Sequence, residues 1–341
     1  MRAFVKYGND PFAAEMRSVP LPDPDEMEVL IEVSGCGICG SDLHAYGAER
    51  GYEWVKPPVV LGHEFGGIVI ATGSCVTGFA EGDKVVVIGI QGCMMCTACR
   101  SGDTNLCLKR KVIGLNMDGG MASHATVKAQ HLIRVPKGVD FAQVAMIEPA
   151  SVAMQALSKV RINPGDRVVV SGPGPIGLIC CMLAKLYGAK VVLIGTDDDI
   201  KVRFVFAEKL GLATVNVAND PNLISIDSFF EGKSPDVWVE ASGVPVAFIS
   251  GAQRLRPGGA LVTVGMYNQP VTWQPTIAVR HALSLYFSYS SVECDYQKVL
   301  HLMSDGLIDF SGLMNAYPLE EASQAFEAAR SRKVIKPVLI P

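Results

Sequence analysis

Four cysteines fall within fifteen residues of this chain, as Cys93, Cys96, Cys99 and Cys107 in CMMCTACRSGDTNLC. Thiolates spaced C-x2-C-x2-C-x7-C on one loop can close a tetrahedron around a zinc ion and leave no position open, which makes such a site structural. Iron–sulfur clusters use similar spacings, and a four-cysteine lobe can grip nucleic acid, but neither reading explains the other motifs. A second group of ligating types is dispersed along the chain. CGICGSDLH offers Cys39, GHEFGG offers His63 and Glu64, and EPASVA offers Glu148. Three such protein ligands plus a water or substrate oxygen are how a catalytic zinc keeps one position free. Singly, each residue has a plainer role as a buried thiol, a core histidine or a helix-start charge. Their co-occurrence points to a metal.

A third constellation, SGPGPIG, sets Gly172, Gly174 and Gly177 between a Val-rich strand and an apolar helix. The glycines permit the tight turn, the approach of a pyrophosphate to the backbone, and close helix–sheet packing, so that phosphates meet free N–H groups at the helix N-terminus. The acid that holds the adenosine ribose is expected about 20 residues further on. Gly195, Thr196 and Asp197 stand there, with the acid displaced by a place. Asp197, Asp198 and Asp199 repel a 2′-phosphate while Lys201 and Arg203 attract one, so NAD is favoured modestly over NADP. Asp198 and Asp199 also suit a solvated helix start.

The elements that must position these residues change character near residue 149. Before it, EVLIEVSGC, GGIVIATG, DKVVVIG and HATVKA read as short strands broken by Gly, Pro and Asp, with no long amphipathic helix between them. After it, strands and helices alternate. Strands are expected at 167–172, 190–195, 214–217, 236–242, 259–265 and 283–289, β-branched and suited to a parallel sheet covered on both faces. Six strands with crossovers predict the order 3-2-1-4-5-6. Gly211 is expected as a left-handed helix cap. The segment after about residue 290, with helices in YQKVLHLMSDG and PLEEASQAFEAARSRK, is too short to stand alone and is expected to rejoin the first domain.

Composition agrees with this class. The 341 residues are 49% apolar and 19% charged, with 34 Gly and 20 Pro spread as turns, which suits two globular α/β domains. A net charge of −4 without basic runs argues against nucleic acid or an anionic membrane as the main partner. No apolar stretch reaches the ~18 residues of a membrane span, and the N-terminus lacks a leader pattern, so a cytoplasmic protein is expected. The ten cysteines are then read as metal ligands and thiols rather than disulfides.

Together the motifs resemble the zinc-containing medium-chain dehydrogenases, the family of alcohol, sorbitol and threonine dehydrogenases. CGICGSDLH, GHEFGG, the cysteine lobe, EPASVAMQAL, GPGPIG, VEASG and VTVGM follow in the family's order over nearly the whole chain. The sorbitol-dehydrogenase branch is the nearest in pattern, because liver-type alcohol dehydrogenases have a cysteine ligand in place of the Glu of EP. The resemblance implies an α/β architecture: a GroES-like irregular β-barrel catalytic domain over 1–148 and 290–341, its zinc lobe at about 90–110, and a Rossmann doubly wound parallel sheet over 149–289. It also implies one catalytic and one structural zinc per chain. Cys39, His63 and Glu64 are carried over as catalytic-zinc ligands, and Glu148 as a ligand directly or through water. Asp42 matches an acid that orients His63, although a turn or cap after Gly40 explains Ser41 and Asp42 as well. Ser41 falls where a hydroxyl takes the substrate proton, and His44 where it passes towards solvent.

By the same resemblance Gly172, Gly174, Pro175, Ile176 and Gly177 meet the cofactor phosphates, and Thr196, Asp197 and Arg203 lie near the adenosine. Ser242, Gly243, Val264, Gly265 and Met266 lie towards the nicotinamide. VRHAL at 279–283 departs from a Lys-Glu pair frequent in relatives. The implied activity is hydride transfer between a secondary alcohol, polyol or sugar-like, and NAD(P), giving the ketone, in a cleft at the carboxyl ends of the strands. The implied assembly is a homodimer or homotetramer. Two rivals remain: a zinc-free reductase on the same scaffold, and a non-catalytic NAD-binding redox sensor in which CGIC at 36–39 is a thiol switch.

Overall fold

The computed structural model describes residues 1–341. They divide into two compact units, Met1–Ser151 with Ser290–Pro341, and Val152–Tyr289.

In the first unit the strand Glu28–Gly37 is the spine of a seven-stranded sheet. Along one edge it pairs with Glu64–Thr72. Along the other it pairs first with His124–Lys128 and then, at Cys36 and Gly37, with the C-terminal strand Lys336–Ile340. Register shifts at Leu30/Ile31 and Val33/Gly35 mark irregularities in the ladder, and such bulges bend a strand and deepen its twist. One strand thereby serves three partners. The unit's core is apolar and includes Phe4, Ile31, Leu61, Phe65, Met121 and Phe326. A separate two-stranded ribbon, Ile90–Gln91 with Lys111–Val112, closes the base of the cysteine lobe.

The second unit holds the strands Arg167–Ser171, Lys190–Gly195, Ala213–Asn216, Val237–Glu240, Ala260–Thr263 and Ser284–Phe287. All pairs are parallel, and the order by position in the chain is 3-2-1-4-5-6, as the alternation of the sequence predicts. The central strands are Val-rich and buried throughout because helices such as Pro175–Leu186 pack on the sheet. Gly211 takes φ +68° where the left-handed cap is expected. No helix of the chain is long and apolar enough to cross a membrane.

Candidate active site and metal centres

The sulfurs of Cys93, Cys96, Cys99 and Cys107 all lie within 4.8 Å of one another. Cys96 Sγ is 3.5 Å from Cys99 Sγ and 3.8 Å from Cys107 Sγ. The short helix Thr97–Arg100 folds the loop back on itself, and backbone N–H groups of Met95 and Cys96 pull the Cys93 thiol down to about 6. Four sulfurs so close together form a closed S4 donor set that fits a tetrahedral zinc with no open position.

The dispersed ligating residues also converge. Cys39 Sγ, a ring nitrogen of His63 and a carboxylate oxygen of Glu64 lie within 4.8 Å of one another. The local sequence dictates how. The spine strand ends at Gly37, and Cys39 then caps the helix Gly40–Tyr46, with Asp42 in its first turn accepting from Cys39 N at 2.9 Å. Glu64 stands directly across the ladder from Gly37. A side chain at Gly37 would collide with Glu64 Oε2 and Lys336 Cε, so glycine is what lets the carboxylate lie against the spine.

Asp42 does more than cap. Its Oδ1 faces His63 Nδ1 at 3.4 Å, and neither atom has another hydrogen-bond partner. Ser41 Oγ is 3.3 Å from His63 Nε2. The ring therefore turns Nδ1 to a carboxylate and Nε2 to the side of Ser41, the orientation a metal-binding imidazole takes when an acid fixes its tautomer. Burial opposes charge on His63, but Asp42 and Cys39 outweigh it and hold the ring well above the usual imidazole range. Asp42, Glu64 and Glu148 are three buried carboxylates, and Lys336 is the buried ammonium among them. Burial pushes Glu148 up to about 7. A pocket so short of positive charge fits a divalent cation competing with a proton for Nε2. Glu148, at the start of the helix Ile147–Leu157, does not join the trio of ligand atoms.

The nucleotide loop in the second unit has matching features. Gly172 takes φ +99°, and a Cβ there would meet Ser242 N at 2.7 Å, so the strand end turns where the 241–243 loop crowds it. Gly174 precedes Pro175 at the start of the helix Pro175–Leu186 and has open space beside it. This leaves an N-terminus ready for phosphate oxygens. Thr196 N and Oγ1 donate to Asp199 Oδ2, and Asp197 Oδ1 accepts from Asn216 Nδ2 at 2.6 Å.

Residues 25–137 match the alcohol dehydrogenase GroES-like domain and residues 175–305 match the zinc-binding dehydrogenase domain. The chain is 35% identical to a sorbitol dehydrogenase of Halalkalibacterium halodurans, covering 100% of this chain and 99% of that one. The chain belongs to the zinc-binding dehydrogenases. It is also 34% identical to D-xylulose reductase A of Aspergillus niger over 99% of this chain and 96% of that protein. A zinc-binding dehydrogenase from Sinorhizobium meliloti, solved bound to NADP, superposes with TM-score 0.91 at 27% identity, covering 100% and 99% of the two chains.

In this zinc-binding dehydrogenase the structure brings Cys39, His63, Glu64, Ser41 and Asp42 together in one unit and Gly172, Ser242, Gly243, Val264, Gly265 and Met266 to the carboxyl ends of three adjacent strands in the other. Arg203, read in the sequence as an attractor for phosphate, is engaged by Asp199 at 3.0 Å. Sequence reasoning passed over two residues. Lys336 is 1% exposed, ion-pairs with Glu64 Oε2 and donates to Ile38 O at 3.0 Å. Glu240, fully buried, receives Ser242 N, Gly243 N and the Tyr267 hydroxyl, the last at 2.5 Å, and so ties together the two loops assigned to the nicotinamide. VEASG displays Glu240 plainly, but a carboxylate at a strand end gives no sign of its partners. Cys36 is fully buried and burial raises its thiol well above the usual value, the opposite of the exposed thiolate a redox switch needs.

Proposed function

We propose that this chain oxidises a secondary alcohol of a polyol or sugar-like substrate to the ketone, passing the hydride to NAD. The observation that carries the reading is the trio Cys39, His63 and Glu64, whose donor atoms share one small volume in a pocket with an excess of buried carboxylate. A zinc ion bound there would polarise the substrate hydroxyl and lower its pKa, and the nicotinamide would accept the hydride. The protein's own residues do the rest. Cys39, His63 and Glu64 are the ligands, Glu148 acts through water, and Asp42 keeps the proton of His63 on Nδ1. Ser41 Oγ, beside His63 Nε2, takes the substrate proton, and His44, one turn further along the helix, passes it outward. Cys93, Cys96, Cys99 and Cys107 hold a second zinc that fastens the lobe.

In the nucleotide unit, Gly172, Gly174, Pro175, Ile176 and Gly177 receive the pyrophosphate, and Ser242, Gly243, Val264, Gly265 and Met266 line the nicotinamide end under the control of Glu240. Asp197 is held by Asn216 at the tip of its strand, where it accepts from the adenosine ribose, and Arg203 is occupied by Asp199. Both features favour NAD. The sheet ends at the strand Ser284–Phe287, whose Phe287 is 70% exposed, and an edge of this kind pairs with a second copy in a homodimer or homotetramer. Ten cysteines, five of them assigned to zinc and none in a disulfide, suit a reducing, cytoplasmic compartment.

A panel of polyols and simple secondary alcohols, assayed with NAD and with NADP, tests the reading. Turnover is expected with NAD and a polyol and is expected to stop on chelation of zinc. Asp197→Asn should raise the NADP:NAD ratio of kcat/KM by about tenfold or more, since juxtaposed like charges cost up to several kcal/mol and each ~1.4 kcal/mol is a factor of ten. An unchanged ratio would remove Asp197 from cofactor selection, and full activity after zinc removal would remove the metal from the chemistry.

A further inference from the structure

One cluster beside the active centre is built around His44. After the helix Gly40–Tyr46 the chain reverses sharply: Gly47 N bonds Leu43 O at 2.9 Å, Ala48 takes φ +50°, and Glu49 N bonds His44 O at 3.0 Å. The reversal swings Glu49 back over the helix, and its Oε2 reaches His44 Nδ1 at 2.6 Å. The same turn then supports the ring from its face. Tyr52 N bonds Glu49 O at 3.1 Å, and the Tyr52 ring stacks on the imidazole with centroids 5.3 Å apart and planes inclined by 29°. Trp54 continues the stack against Tyr52 and is pinned by Nε1 to Gly51 O at 3.0 Å. Backbone, side chain and ring stacking all fix one orientation of His44.

The pair is 39% and 52% exposed at its side chains, so as an ion pair it adds little stability. Its consequence lies in which nitrogen holds the proton. An ionised carboxylate only accepts hydrogen bonds, so Nδ1 must carry hydrogen and Nε2 of the neutral ring is left with a lone pair. We propose that Glu49 is a positioning residue for proton release, holding His44 as its Nδ1–H tautomer so that Nε2 is the atom that receives the substrate's proton. The inference rests on the reading of His44 as the outward relay. One proton arrives at Nε2, the resulting imidazolium is held by Glu49 through Nδ1–H, and Nε2 then gives a proton to water. Because Nδ1–H stays on Glu49 throughout, the ring returns to the same tautomer for the next turnover.

Two measurements on the zinc-loaded enzyme test this. Nitrogen-15 NMR of histidine-labelled protein at alkaline pH, with the His44 signals assigned by comparison with His44→Asn, is expected to find Nδ1 protonated and Nε2 bare. In Glu49→Leu the Nε2–H form should take over. An Nε2–H tautomer in the wild type, or an unchanged tautomer in Glu49→Leu, overturns the proposal. In kinetics Glu49→Leu should lower kcat at least about tenfold, a part of the 10²–10⁴-fold that positioned proton transfer contributes, with the KM for alcohol and the zinc content unchanged. Glu49→Asp should recover part of the loss. In the His44→Asn background the Glu49→Leu effect should vanish, as for two residues acting through one contact. A Glu49→Leu loss that persists in that background overturns the proposal. Should His44→Asn itself keep wild-type kcat, the relay reading of His44 fails, and the tautomer measurement still decides what Glu49 does.

Discussion

Replacing His63 by alanine is expected to abolish alcohol oxidation and to remove one of the two zinc ions while leaving the ion in the cysteine lobe. His63 Nε2 stands on the side of Ser41, and its Nδ1 faces Asp42 at 3.4 Å, so the variant loses the one nitrogen donor of the trio. Removing it takes away one of the three donors of the trio, and two protein ligands do not hold the ion as three do, even among buried carboxylates. Metal polarisation of an oxygen is worth several kcal/mol in the transition state. At about 1.4 kcal/mol per factor of ten, the loss in kcat/KM is roughly 10³-fold or more. The check is steady-state kinetics beside elemental zinc analysis and a melting curve. Wild-type turnover with one ion per chain would contradict the assignment.

The second large effect is expected at Lys336, on stability rather than chemistry. Lys336→Met in the zinc-free protein leaves Glu64, 1% exposed, without its counter-charge. Breaking a buried pair from one side costs about 3–5 kcal/mol, because the remaining charge stays desolvated. Adding Glu64→Gln in the same chain should return most of that loss, because the buried charge is then gone. Burial alone would depress the lysine, but Glu64 outweighs it and holds its pKa above 10.5. The folded-state value exceeds the unfolded one, so at the alkaline end the lysine's contribution is lost as pH rises above 10.5 through the folded value. Urea unfolding of the zinc-free proteins, read in the first unit, measures both effects. A double variant no more stable than Lys336→Met would exclude the ion pair as the cause.

Residues that act through local chemistry were legible in the sequence. The cysteine lobe is one loop, so its spacing alone places four sulfurs together. The parallel sheet follows from alternation of buried strands and crossover helices, and its order came out as predicted. The strand expected at 236–242 ends at Glu240, because Ser242 and Gly243 leave the ladder to bond the Glu240 carboxylate, a partner that periodicity cannot register. The helix Gly40–Tyr46 is too short to carry an amphipathic pattern, yet it holds Ser41, Asp42 and His44. Here Asp42 meets two partners, Cys39 N through one oxygen and His63 Nδ1 through the other.

Lys336 was invisible for a different reason. It sits in an apolar C-terminal strand, and nothing nearby in sequence marks it as buried; only the pairing of Val338 with Gly37, which itself faces Glu64, brings it to the metal pocket. Glu49 likewise shows no partner in the sequence; the left-handed Ala48 turns the chain back and brings it to His44. Long-range pairing and single-residue backbone reversals are what local pattern leaves out.

Anomalous diffraction at the zinc edge, from crystals of the active and zinc-replete enzyme, tests the central claim most directly. The expected result is a pair of peaks in each chain, one enclosed by the sulfurs of Cys93, Cys96, Cys99 and Cys107 and one bounded by Cys39 Sγ, His63 Nε2 and a Glu64 oxygen. A single peak in the cysteine lobe, from a preparation that oxidises secondary alcohols, would contradict it.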